Sequence, residues 1–457
     1  MHDLVIKDAL LRDGFQTIAA DLAVDGERIA AIGTGLAGRR EIGAAGKWLL
    51  PGFLDVHTHM SLPFAGAVSR DDFFTGTRAG AFGGVTTIID FTAQKPGEGL
   101  REGFARRLAE AEGKAAVDYS FHACIGTVTD RALADLPWAA SAGLTSLKVF
   151  MAYSRSGLMQ DDAGLFRVLE ACRAADVLIT VHAENGGVID LLTDRAAAAG
   201  DLGIAALPRT RPLFTEVEAI TRLGHLARAT GAPTYVVHVS SGAGADAIRD
   251  ARRQGAPLFG ETCPQYLFLD DTVFDGPRGQ DFGCCPPVRP PGQAAGLWRG
   301  LREGHLQVLA TDHCPFTRAD KDLWQGAITR LPMGLPGIET LGPLALWGSG
   351  AGELPSDTAI RALTANPARL FGLWPRKGSL QPGADADLVL YDPKKYGELA
   401  AATLHMGSDY SPYEGRRGTG WPVLTVSRGE ILVQDGAWLG RPGRGRFLAR
   451  GPGHLLA

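Results

Sequence analysis

Between residues 52 and 377 the chain changes its periodicity again and again, and this alternation most narrows the folds open to it. Eight short apolar or β-branched runs occur: 53–59, 86–91, 118–125, 146–151, 178–184, 234–240, 257–262 and 307–313. Helical patterns, such as Arg101–Lys114 and Asp162–Ala175, lie between most of them. Strands separated by helices predict parallel βαβ units. Eight units are the number needed to close a barrel. The predicted fold is therefore a (β/α)8 TIM barrel, and a doubly wound open sheet is the alternative.

The two ends read differently. Residues 1–51 carry short strands, with Asp13-Gly14 and Asp25-Gly26 as turn signals. From about Gly378 the same pattern returns, with strands at 386–390, 423–427 and 430–433 and a turn at Asp435-Gly436. The ends are predicted to pair into one small β-sandwich, which divides the chain into 1–51, 52–377 and 378–457. A chain of 457 residues is long enough for a large barrel plus this second unit.

Composition excludes several classes. A net charge of −4 with both signs interspersed lacks the basic patch of a nucleic-acid binder. No stretch of about 18 apolar residues is present, so no membrane span is expected. Leu4-Val5-Ile6 reads as a strand and not as part of a signal peptide. The six cysteines are scattered and form no CxxC framework, so they are expected to be free, buried thiols in the reducing cytoplasm.

Ionisable residues recur where the predicted strands end. The first strand ends in His57-Thr58-His59, and residues two apart on a strand face one side. The fifth ends at His182, the sixth at His238 and the eighth at Asp312. Lys148 interrupts the apolar fourth strand. In barrels this end is the active face. Four imidazoles and a carboxylate suit Zn²⁺ or a similar divalent ion, and two ions share them better than one. An ammonium cannot be a ligand among cations. A lysine carboxylated by CO₂ is an anion and can bridge two metals, so Lys148 is read as carboxylated.

At this point the chain resembles the cyclic amidohydrolases, and most closely the dihydropyrimidinase/D-hydantoinase family, over essentially its whole length. The motifs that carry the likeness are His57-Thr58-His59, Asp71 to Gly80, Lys148 to Tyr153, Gly260 to Leu267 and Thr311 to Phe316. The resemblance implies that His57, His59, Lys148 and Asp312 bind one metal and that Lys148, His182 and His238 bind the other. It gives Asp312 the role of general base, and Tyr153 that of a donor to the oxyanion formed on the ring carbonyl. It implies ring opening of dihydropyrimidines or 5-substituted hydantoins to N-carbamoyl amino acids. It also implies a homodimer or homotetramer that needs no organic cofactor.

Two positions depart from the family pattern. Cys285 stands where the family places a serine before Pro286-Pro287, and Met333 follows Pro332 where it places an asparagine. Both positions contact the ring there largely through backbone groups, so both stay as substrate-binding candidates. Three rivals are weighed. Non-enzymatic dihydropyrimidinase-related scaffolds lack the metal ligands, which are all in place here. Dihydroorotase is similar in having HxHxR at the first strand, with the arginine on a substrate carboxylate. Here that position is Ser61. Allantoinase is the third, and the Tyr153 motif favours the hydantoin side.

Overall fold

The computed structural model describes residues 1–92, 94, 95 and 97–453, so the last four residues of the 378–457 segment lie outside it. Eight parallel strands form one sheet in chain order: Phe53–Thr58, Val85–Phe91, Asp118–Cys124, Ser146–Phe150, Leu178–His182, Thr234–Val236, Leu258–Thr262 and Val308–Leu309. A parallel bridge between Thr58 and His313 joins the last strand back to the first. The His59 amide donates to the His313 carbonyl at the same seam (2.8 Å). The sheet is therefore a barrel. Strands such as Phe53–Thr58 and Val85–Phe91 are buried at every position. That explains why they read as continuous apolar runs and not as alternating ones.

Helices follow most strands, and local chemistry sets their ends. The Asp162–Ala175 helix begins with the Asp161 side chain accepting from the Gly164 amide and ends at Asp176 in the left-handed region. The helix expected over 101–114 spans Leu100–Ala111, with Gly113 at φ 73° just beyond it. Most barrel strands end within two residues of the expected bounds, but two are much shorter. The sixth stops at Val236 because His238 has φ 40°, and the eighth stops at Leu309 because Asp312 has φ 54°. Neither backbone can continue an extended ladder.

The chain ends form a separate nine-stranded sheet. Its order runs Ala437–Trp438, Glu430–Gln434, Arg417–Ser427, Leu388–Glu398, Trp48–Pro51, His2–Arg12, Thr17–Asp25, Arg28–Gly33, with Gly38–Gly43 beside His2–Arg12. The sheet folds over its own core, which joins Ile6, Leu22 and Ile29 to Leu388, Leu424 and Val426. The Ile29 amide donates to the Ala384 carbonyl (3.0 Å), so the edge strand Arg28–Gly33 meets the segment that leads into Leu388–Glu398. The Asp25-Gly26 turn links Thr17–Asp25 to Arg28–Gly33, with Gly26 at φ 54° as such a hairpin requires. All six cysteines are free, and Cys124 and Cys285 are half-buried where buried thiols were expected. No helix among the described residues is long and apolar enough to cross a membrane.

Candidate metal centre

The barrel brings the predicted residues to its C-terminal end. His57 and His59 leave the first strand with their ring centroids 5.2 Å apart. Their Nε2 atoms lie 3.1 and 3.0 Å from the same Asp312 oxygen, Oδ1. His57 is buried, while His59 and Asp312 keep 20% and 14% of their side chains exposed and so line the mouth. The ligand atoms of these three residues lie within 4.8 Å of one another, a group that could hold a metal ion.

His182 and His238 form a second pair. His182 Nδ1 lies 3.0 Å from His238 Nε2, and the His238 ring is 5.4 Å from that of His57. Lys148 enters the same space from the fourth strand, buried, with its Nζ 5.4 Å and 5.1 Å from the ring centroids of Phe91 and Phe150. Burial pulls the Lys148 amine down to about 8 against the opposing pull of Asp312 and Glu261. Burial lowers the His57 pKa too, but Glu261 and Asp312 outweigh it and hold it at about 9.

The donor set fits metal ions in a further respect. Carboxylates that the sequence reading missed occupy the outward nitrogens. His57 Nδ1 pairs with Glu261, and His182 Nε2 pairs with Glu184 at 2.7 Å. One nitrogen on each ring is thereby left facing the centre. Carboxylates behind histidines are the usual means of fixing metal-ligand tautomers. Glu261 also accepts from the Tyr235 hydroxyl (2.9 Å) and the His238 amide (3.1 Å). Asp55 lies one layer below and accepts from the Thr311 and His57 amides (3.1 and 3.3 Å). Glu184 is paired with Arg211, and burial, which raises its pKa, is overcome so that it sits at about 2. The signal for these residues was present. Asp55, Glu184 and Glu261 sit in strand segments where apolar residues are the rule, and the first two stand two residues from a histidine.

Tyr153 stands over the pair. Its ring is 4.8 Å from His182, and the Arg211 guanidinium lies 5.2 Å from its centroid. Burial pushes the phenol well above its ordinary pKa, so it carries its proton. The Cys285 thiol lies close to this phenol; burial raises the thiol's pKa, against lowering by the nearby Arg211 guanidinium. Met333 is half-buried against the barrel core. The next residues run beside the end of the eighth strand, where the Cys314 amide donates to the Leu335 carbonyl (3.0 Å). Tyr153, His238 and Asp312 are three of the ten non-glycine residues with positive φ among the described residues. Such backbone is costly and tends to gather at functional sites.

A barrel with this histidine and carboxylate cluster at its strand ends is what the amidohydrolases share, and the Amidohydrolase family model matches residues 48–432. The chain belongs to that family. It is 42% identical to the D-hydantoinase of Streptomyces coelicolor (strain ATCC BAA-471 / A3(2) / M145), over 98% of this chain and 97% of that one. The structure superposes on dihydropyrimidinase from Brevibacillus agri NCHU1002 with a TM-score of 0.96 and 38% identity, covering 98% of this chain and 99% of that one. It also matches an L-hydantoinase (dihydropyrimidinase) from Arthrobacter aurescens with a TM-score of 0.90 and 30% identity, over 98% and 100% of the two chains.

Proposed function

We propose that the protein is a metal-dependent cyclic amidohydrolase that opens 5-substituted hydantoins or dihydropyrimidines to N-carbamoyl amino acids. The observation that carries this reading is the convergence of His57, His59 and Asp312 beside the His182–His238 pair, with Tyr153 over it. His57, His59 and Asp312 would hold one divalent ion, most simply zinc. His182 and His238 would hold a second, and a carboxylated Lys148 would be shared between the two. When bound, the metal pair supplies acidified water and polarisation of the ring carbonyl.

The chain's own residues do the rest. Asp312, with one oxygen beside both histidines, would take a proton from the water whose oxygen bonds to the ring carbonyl carbon, and return that proton to the ring nitrogen as the C–N bond breaks. The Tyr153 phenol, held protonated, donates to the oxygen on which negative charge develops. Backbone groups at Cys285 and Met333 would hold the ring amide. Specificity follows from Ser61. A site without an arginine there gives a substrate carboxylate no cationic partner, and a buried unpaired charge is strongly disfavoured. On the same reading the protein works in the cytoplasm as a homodimer or homotetramer, with residues 1–51 and 378–457 as one unit beside the 52–377 barrel.

The test compares kcat/KM for dihydrouracil, a 5-substituted hydantoin, allantoin and dihydroorotate on one preparation. One of the first two is expected to lead, with dihydroorotate turned over poorly. Allantoin or dihydroorotate leading by about tenfold, roughly 1.4 kcal/mol of transition-state preference, would overturn the substrate assignment.

A further inference from the structure

Lys321 is a fully buried lysine at the end of the short Arg318–Lys321 helix, outside the metal cluster. Its ammonium donates to three backbone carbonyls: Gly283 at 2.9 Å, Pro332 at 2.8 Å and Gly334 at 2.9 Å. A lysine has three protons to donate, and all three are used. Among the described residues the ammonium makes no ion pair with a carboxylate, although burying one without such a partner is costly. The three carbonyls come from two segments far apart in sequence. Gly283 stands two residues before Cys285, and Pro332 and Gly334 flank Met333. The Gly334 amide donates directly to the Gly283 carbonyl (2.9 Å), so the segments already touch. Gly334 has φ 150°, and a side chain there would meet the Cys314 carbonyl at 2.5 Å. Only glycine fits where this backbone packs against Cys314. The lysine's own position is fixed too. Thr317 caps its helix through Asp320, and Asp320 pairs with Arg70.

We propose that Lys321 is a positioning residue, whose ammonium ties the 283–285 and 332–334 segments into one frame that presents backbone groups to the ring amide. The inference rests on the reading that these two segments contact the substrate. A hydrophobic residue would fill the same space at lower desolvation cost. The ammonium adds three further bonds to the single Gly334–Gly283 hydrogen bond between the two loops, and so fixes their spacing.

The test uses full-length, metal-loaded wild type, Lys321→Met and Lys321→Gln, each on hydantoin and on a 5-substituted hydantoin. In Lys321→Met, KM is expected to rise about tenfold on both rings, because the ring amide is common to both, while kcat falls less than about threefold. Lys321→Gln keeps two donors and is expected to fall between, with wild-type metal content in both variants. KM within about twofold of wild type in Lys321→Met, or a loss confined to kcat or to bound metal, would overturn the proposal. If Lys321→Met does not fold, Lys321→Gln decides by the same criteria. Failure of both to fold would assign Lys321 to the stability of the fold and also overturn it. A wild type inert on both rings would refute the hydantoin reading, and this inference with it. An active wild type with unchanged variants sinks the inference alone.

Discussion

Lys148 and Tyr153 show how much one side chain is asked to do at this barrel end. Lys148 is buried between Phe91 and Phe150, with its amine close to the histidines. If it is the shared anionic ligand, Lys148→Ala removes a ligand from both ions. Elemental analysis should then find bound metal falling well below two per chain, with most activity lost and partly restored by a short carboxylic acid. Wild-type metal and rate in that variant would remove the bridging role. Tyr153→Phe tests a different contribution. The ring and its contacts with His182 and Arg211 stay, and one donor is lost. Steady-state kinetics should show kcat lower by about 10²–10³, with little change in KM. A KM effect alone would make Tyr153 a substrate contact and not an oxyanion donor.

At the scale of elements, the seventh strand, Leu258–Thr262, matters more than its lack of a histidine suggests. Parallel pairing with the sixth strand sets Val236 against Gly260. That register delivers Glu261 to His57, to the Tyr235 hydroxyl and to the His238 amide together. One carboxylate thus orients groups of the first and sixth strands. Glu261→Gln keeps the shape and removes the charge. Competition against a chelator should show metal affinity weakened by about 10–100-fold, the usual cost of losing such a partner. Unchanged affinity would reduce Glu261 to a packing residue.

The molecule as a whole depends on a buried charge cluster between the sheet and the barrel. Lys377 lies 2.7 Å from Asp118 on the third barrel strand, 3.0 Å from Asp385 and 2.6 Å from Asp387. Arg428 reaches Asp118 from the other side (3.0 Å). Asp118 keeps Arg428, and Asp385 keeps Arg28 and Arg376, but Lys377→Met would leave the buried Asp387 without its cation, a loss on the order of 3–5 kcal/mol. Calorimetry should show an earlier first unfolding transition, and KM should stay at the wild-type value because the cluster is remote from Asp312. An unchanged transition would mean that Arg428 suffices.

The barrel and the kinds of ligand it carries were legible in the chain's residue order. Strands buried on both faces must be short apolar runs, and an ionisable residue stands out at the end of such a run, as His182, His238 and Asp312 do. Spacing alone paired His57 with His59, because neighbours along a strand obey a period of two. Which nitrogen of each ring faces the centre is set by contacts made only in the folded chain. That choice belongs to Glu261 and Glu184, and for His57 the partner lies 204 residues away. Such contacts also stop the sixth and eighth strands early, since a positive φ at His238 or Asp312 follows from the surrounding packing and not from residue type. Both chain ends read as strands, yet their union into one sheet needed Trp48–Pro51 to pair with Leu388–Tyr391, more than 330 residues away. Lys321 stands in none of the motifs that mark the metal cluster. Its role depends on three carbonyls from two segments, and the sequence records which residues those are but not that they meet.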